Sequence, residues 1–180
     1  MTRADGARDD LARRIYAAAH ITGTFTLRSG VVSHEYFDKY RFEADPALLR
    51  DIAAAAADLV PECDVLAGLE LGGVPIATMI SQVTGLPATF VRKEAKTYGT
   101  CRLAEGAEVE GQRLCIIEDV VTSGGAILDA ASELRMRGAQ LGPVVCVIDR
   151  ESGGAEKLAV EGLELLPLFT MSELKAAVGA

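Results

Sequence analysis

Histidine is scarce in this sequence: only His20 and His34 occur. The four cysteines, Cys63, Cys101, Cys115 and Cys146, are scattered, with no C-x-x-C pair. A metal cluster of the His/Cys kind is therefore excluded. Cys115 and Cys146 fall inside apolar, strand-like runs, which favours buried free thiols over disulfides. His20 is expected to end a helix, where positive charge is favoured, and His34 to be a surface residue; neither is a catalytic candidate. No apolar run approaches the roughly eighteen residues needed to cross a bilayer. The opening MTRADGARDD is polar and charged, with no signal-type segment behind it. A cytoplasmic protein with no membrane partner is expected. Positive charge is the minority sign: 18 Lys and Arg against 26 Asp and Glu give a net charge of −8. That balance excludes a general nucleic-acid binder, which needs a basic face. No G-x-G-x-x-G follows the first strand, so a dinucleotide site is disfavoured.

What is present is an alternation of helices and apolar strands. Residues 7–20 read as an amphipathic helix, followed by GTFTLRSG and VVSHEYFD as an antiparallel pair turning near Gly30. Asp45-Pro46 opens a helix, with Asp as N-cap and Pro at the first helical position. Strands are then expected at 64–69, 88–92, 113–117 and 143–149, with a last one over LELLPLF. Helices follow the Gly72-Gly73 loop, occupy 125–137 up to Gly138, and cover AEKLAV; SELKAAV starts at a cap-like Ser172. Short Val/Ile/Leu runs separated by helices predict an α/β fold with a mostly parallel central sheet covered on both faces. With no internal repeat or low-complexity linker, residues 1–180 are expected to form a single domain, about 1–42 being a small N-terminal hood.

Residues 93–111 show no periodicity and are long for a connection, which suggests a functional loop. Within 92–102, Arg92, Lys93, Lys96 and Arg102 face Glu94 alone, a local excess of three positive charges. This predicts a lid that meets an anion. A solvated charged hairpin is the plainer alternative, weakened by the acidity of the rest of the chain.

The stretch LCIIEDVVTSGGAI (114–127) carries the chemistry. An apolar strand ends in Glu118 and Asp119, then relaxes into Thr122-Ser123-Gly124-Gly125 before a helix. Bare glycines let the backbone wrap an anion, and the helix start adds unpaired N–H groups and its positive dipole end. Thr122 and Ser123 add hydroxyls. The acids suit hydroxyls, or a divalent cation, on the rest of the same ligand, so a sugar phosphate satisfies the whole stretch. TSGG alone would pass for an ordinary strand-to-helix turn; two acids at that spacing argue for the ligand site.

CIIEDVVTSGGA resembles the phosphoribosyl-pyrophosphate (PRPP) signature of the type I phosphoribosyltransferases. FTLRSG…SHEYFD, GLELGGVPIA, VRKEAKTYG and VIDRESGG follow in the order and approximate spacing of the orotate phosphoribosyltransferases, reaching from about Phe25 to Gly154. The resemblance implies the type I phosphoribosyltransferase fold with a flexible lid loop, and transfer of phosphoribose from PRPP to orotate. The products would be orotidine 5′-monophosphate and pyrophosphate, a step of pyrimidine nucleotide synthesis. It implies that Glu118 and Asp119 hold the ribose hydroxyls, with Asp119 close to the reacting sugar. The loop Thr122, Ser123, Gly124, Gly125 and Ala126 would form the 5′-phosphate site, with Val120 and Val121 also against PRPP. Gly72 and Gly73 would meet pyrophosphate through their backbone, and Arg92, Lys93, Lys96 and Tyr98 would attend it from the lid. Arg28, Tyr36, Phe37, Thr122 and Arg150 would receive orotate, Arg150 facing its carboxylate. Lys96, Asp119, Arg92 and Lys93 are the implied catalytic set. Mg2+ is the implied cofactor, held mainly by substrate oxygens, and a homodimer sharing lid residues is the implied assembly.

Two positions depart from that pattern. Some relatives carry lysine where this chain has Gly72, and histidine where it has Tyr98. Two other functions stay open on the residues alone. A phosphoribosyltransferase for a purine would share the acids and loop but has no need of Arg150. A non-catalytic PRPP or nucleotide regulator would have no need of Arg92, Lys93 and Lys96. Arg150 could also simply pair with Asp149 or Glu151, and at least one of Tyr36 and Phe37 is expected in the core.

Overall fold

Helix α1 (Arg3–Ala19) leads directly into an antiparallel pair, β1 (His20–Thr26) and β2 (Val32–Phe37). The computed structural model describes residues 3–26, 30, 32–94 and 103–180. Asp38 N–H donates to Ala19 O (2.8 Å), tying the exit of the hairpin to the end of α1. His20 therefore begins a strand rather than ending a helix: its ring stacks on Tyr16 (4.8 Å between centroids) and lies 2.9 Å from Glu35 across the pair. A short helix not anticipated from sequence, α2 (Tyr40–Glu43), follows.

Helix α3 (Pro46–Ala57) forms as its ends dictate. Asp45 accepts from Ala47 N–H and Leu48 N–H at 2.9 and 3.0 Å, satisfying donors that the first turn leaves unpaired. The chain then alternates through β3 (Val65–Leu69), α4 (Gly73–Thr84), β4 (Ala88–Val91), β5 (Ala104–Gly106), β6 (Arg113–Val121), α5 (Gly125–Met136), β7 (Gln140–Asp149), α6 (Gly154–Val160), β8 (Leu165–Thr170) and α7 (Met171–Val178). Two local expectations are corrected. Residues 93–111 are not all loop, because β5 pairs antiparallel with β4 and buries Leu103 and Val109 against the core. The cap of α7 is Thr170, not Ser172: Thr170 and Glu173 form a reciprocal capping box, while Ser172 donates to Glu151.

Six strands form one sheet in the order β5-β4-β3-β6-β7-β8, parallel except for the β5 edge. Helices cover both faces, so the central strands are apolar on both sides, as a buried parallel sheet requires. On β6, Cys115 and Ile117 join the core beneath α1, α3 and α4, whereas Leu114 and Ile116 join the core beneath α5. Cys63, Cys115 and Cys146 are buried free thiols; Cys101 lies outside the described residues. None of the described helices is long and apolar enough to cross a membrane.

Helix α4 seats closely on the sheet because glycines remove what would obstruct it. A Cβ on Gly68 would lie 2.7 Å from both Ala77 Cβ and Gly73 O. Gly68→Ala should therefore cost about 1–3 kcal/mol through overpacking. Each kcal/mol should lower Tm by about 2–4 °C for a chain of this size, which thermal unfolding followed by circular dichroism would measure.

Candidate active site

The strand order reverses between β3 and β6. From β3 the chain winds outward to β4, and from β6 it winds the other way to β7 and β8. Open parallel sheets bind ligands beyond the carboxyl ends of the strands at such a point. Two connections enter this crevice: residues 70–72, after β3, and residues 122–124, after β6. The first contains a cis peptide between Glu70 and Leu71.

The second connection makes the anion cradle. Gly124 adopts a left-handed conformation (φ 73°) that a side chain would resist, and α5 starts at the next residue. Glu118, Val120, Val121, Thr122, Ser123, Gly124, Gly125 and Ala126 line one cavity of about 210 Å³. The start of α6 closes it from behind: a Cβ on Gly154 would lie 2.5 Å from Thr122 O and 2.7 Å from Val121 Cγ1. The second glycine of RESGG is thus needed for contact with the loop.

Alternation along β6 sends the two acids to opposite faces. Glu118, 9% exposed, shares the α5 face, and its Oε1 accepts from Asp119 N–H (3.0 Å). Burial, and after it the neighbouring Asp119 carboxyl, pushes Glu118 well above the usual carboxylate range. Asp119, fully buried, faces the hood. Val120 N–H donates to its Oδ1, and Lys39 Nζ lies 2.6 Å from Oδ2. Burial pushes Asp119 up, but the contacts with Glu118, Lys39 and Glu43 outweigh it and hold the group below its ordinary value. Lys39 is raised: burial works against its charge, and Asp119 more than compensates. Glu43 reaches the same spot and is pushed up to about 8, first by burial and then by Asp119.

Gly72 sits in the middle of this group. A Cβ there would lie 1.6 Å from Asp119 Oδ2 and 2.8 Å from Glu43 Oε1. Gly73 is as constrained, its Cβ falling 2.3 Å from Ile117 O. The departure at Gly72 thus has a steric reason: the Asp119 carboxylate fills the space that a side chain would occupy.

On the α5 face, Arg92 and Lys93 share a second cavity of about 210 Å³ with Glu118, Glu70, Leu103 and Ala126. Arg92 Nε is 3.9 Å from Glu105 Oε1, and its backbone N–H donates to Leu103 O (2.9 Å). Strand β5 therefore anchors the first cation of the basic run. Lys96 and Tyr98 lie outside the described residues.

A third cavity, about 270 Å³, opens between the hood and the end of β7. Tyr36, Phe37 and Arg150 line it together, with Tyr16, Glu35 and Lys175. The Arg150 guanidinium stands 5.9 Å over the Phe37 ring. Neither neighbouring acid holds it: Asp149 accepts from Glu151 N–H (2.9 Å), and Glu151 accepts from Ser172 Oγ (2.6 Å). Arg150 N–H donates to Val121 O (2.8 Å), fixing this arginine to the strand end that carries the anion cradle. Phe37 packs on the core while Tyr36 is exposed, its ring tilted against Phe25 (5.5 Å between centroids). His34 is exposed. Arg28 lies outside the described residues.

The sequence reasoning missed Lys39, Glu43 and Lys175. For Lys39 there was one signal, a lysine two residues after the aromatic pair. Glu43 gave none, because only the fold brings it to Asp119.

The pattern "Phosphoribosyl transferase domain" matches residues 40–171 of the chain. An orotate phosphoribosyltransferase from a Nocardioides species is 56% identical over 168 residues, covering 93% of this chain and 94% of that one. The crystal structure of Mycobacterium tuberculosis orotate phosphoribosyltransferase in complex with Fe(III) dicitrate superposes with a TM-score of 0.85 at 33% identity, covering 93% and 98% of the two chains. The same enzyme in complex with 5-phospho-α-D-ribosyl 1-diphosphate superposes with a TM-score of 0.81 at 30% identity, covering 93% and 98%.

The buried acids predict a pH dependence of stability. A carboxyl raised on folding contributes stability that is fully present below its ordinary value, 4.5 for Glu43, and is lost as pH rises through about 8. Stability should therefore decline across that window. Glu43→Gln should flatten the decline without abolishing it, since Glu118 acts with the same sign. Urea unfolding at a series of pH values measures the slope.

Proposed function

The chain belongs to the orotate phosphoribosyltransferase family, and from that membership we propose the roles of its residues in the transfer. The reaction joins the phosphoribosyl group of PRPP to orotate, giving orotidine 5′-monophosphate and pyrophosphate in pyrimidine biosynthesis. One observation carries the assignment of residues. Arg150, in the aromatic cavity, is hydrogen-bonded through its backbone to Val121, so the base pocket and the phosphate cradle are held at the two sides of one strand end.

In this reading the 5′-phosphate lies against the N–H groups of Ser123 to Ala126 at the start of α5. Glu118 and Asp119 take the ribose hydroxyls from the two sides of β6. Orotate lies by Tyr36 and Phe37 with its carboxylate toward Arg150, a planar donor fork matched to such a group; Arg28 and Thr122 complete that side. The C1–oxygen bond to pyrophosphate breaks, and a C1–nitrogen bond to the orotate ring forms. Positive charge grows on the sugar and negative charge on the leaving group, and no covalent nucleophile from the protein takes part. Arg92, Lys93 and Lys96 neutralise the leaving pyrophosphate, with Tyr98 beside them and the backbone of Gly72 and Gly73 across from them. Positioning and charge stabilisation supply the acceleration.

Among the described residues, no group of three or more His, Cys, Asp or Glu side chains could cage a metal ion. Asp119, the deepest acid of the site, already has Lys39 as its charge partner. This donor set fits Mg2+ carried by the pyrophosphate oxygens, an ion that keeps several waters and takes few protein ligands. When bound it would offset phosphate charge. The reading extends to a homodimer whose lid residues complete the neighbouring site and to a cytoplasmic location; it needs neither nucleic acid nor a membrane.

The test is a turnover assay with PRPP, magnesium and orotate, read as the loss of orotate absorbance and repeated with adenine, hypoxanthine and uracil. Orotate should be consumed; consumption of a purine instead would overturn the base assignment. Lys96→Ala should lower kcat by about 10²–10³-fold, as the loss of one preorganised charge donor does. Asp119→Asn should act similarly. Both variants should retain wild-type circular dichroism, and near-normal turnover in either would show that its residue has no such role.

A further inference from the structure

Three parts of the chain that are distant in sequence meet over Gly72. They are the end of the hood with α2, the loop before α4, and the end of β6. Asp119 is the buried centre of this meeting. Lys39 Nζ stands 2.6 Å from its Oδ2, a charge contact, yet that oxygen has no hydrogen-bond donor in good alignment among the described residues. Glu43 Oε1 is a second buried oxygen in the same condition. Both oxygens reach the space over Gly72, which they can enter only because that residue has no side chain. Two buried carboxyls at one point cannot both stay ionised at little cost, and one proton held between them satisfies both oxygens. Lys39 is itself steadied, its Nζ lying 5.3 Å over the Tyr40 ring.

Resting on the orotate phosphoribosyltransferase reading of the site, we infer that Lys39 and Glu43 are positioning residues for Asp119. Lys39 keeps Asp119 an anion, and the Glu43 carboxylic acid donates to it. The carboxylate thereby faces the sugar in one orientation while the Gly72 loop receives pyrophosphate. Neither residue needs to touch substrate; each acts through Asp119. The arrangement links the hood, which lines the base pocket, to the acid beside the reacting sugar. Other titratable groups around Asp119 are few. Glu118 precedes it on β6, Cys146 lies on β7, and Asp38 and Tyr40 flank Lys39 and Glu43. Glu70 lies on the loop that leads to Gly72.

Two readouts on full-length wild type, Lys39→Met, Lys39→Arg and Glu43→Gln test the inference. The first is urea unfolding against pH without substrate. Asp119 contributes stability that is lost as pH falls; Lys39→Met, by raising the carboxyl in the folded state, should shrink or reverse that acid loss, with Lys39→Arg restoring the wild-type profile. The second is steady-state turnover of PRPP and orotate across the same pH range. Lys39→Met should lower kcat by about 10–100-fold, the scale of one hydrogen bond to a charged group. The KM for PRPP should change less, the acid limb of kcat should move to higher pH, and Lys39→Arg should recover most of the loss. Glu43→Gln, which keeps a donor but cannot ionise, should flatten any alkaline fall in kcat above about pH 8. Unchanged kcat and unmoved profiles in Lys39→Met overturn the inference, as does a loss that Lys39→Arg fails to recover. Wild-type protein that leaves orotate and PRPP untouched overturns the functional reading instead, and the catalytic role of the pair with it, even where the unfolding profile shifts.

Discussion

The close approach of backbone at the start of α4 is the constraint on which the site depends. Gly68, Gly72 and Gly73 each stand where a Cβ would meet another part of the chain at 2.7 Å or less. Their bareness lets α4 settle onto β3 and lets the loop before it touch the end of β6. Interiors are packed so tightly that one methyl group in such a place must displace something. Without this approach, the crevice at the reversal of strand order would be wider. Asp119 would then have water rather than Gly72 beside it.

From that contact the electrostatics follow. A carboxylate with no exposed surface needs a partner for its charge, since burial alone would neutralise it. Lys39 is that partner, delivered by the turn between the hood and α2. Glu118, one residue earlier on the same strand, is pushed the other way by its own burial and by Asp119. Two adjacent acids are thus pushed in opposite directions, because a strand sends successive side chains to different surroundings. The anion cradle next to them uses no side-chain charge. Its means are backbone N–H groups, a left-handed Gly124 and the close seat of Gly154.

The aromatic cavity depends on a different device. Arg150 is held by its own backbone to Val121, while its guanidinium is turned toward Phe37 because Asp149 and Glu151 are occupied by Glu151 N–H and Ser172. The hood contributes the aromatic rings and the sheet contributes the arginine. The aromatic cavity and the end of β6 therefore share one strand end, and Lys39 joins the hood to Asp119 on the other side of it.

Much of this was legible in the amino-acid order. The run LCIIEDVVTSGGAI shows its strand, acids, bare loop and helix because each is a local property: apolar burial, a left-handed glycine, a helix start with unpaired donors. Asp45-Pro46 announces α3 for the same reason, and the alternation of apolar runs with helices announces a parallel sheet. The edge strand β5 was not legible, since three residues paired only at one side have no periodicity of their own. The Thr170 cap was overlooked in favour of Ser172, whose hydroxyl went to Glu151. Sequence by itself determined the kinds of most elements and the acid-and-glycine run between β6 and α5, because those arise from neighbours along the chain. Only the tertiary structure decided that Lys39, Glu43, Gly72 and Asp119 occupy one point, because packing α2 and α4 on the same face of β6 brings together groups eighty residues apart.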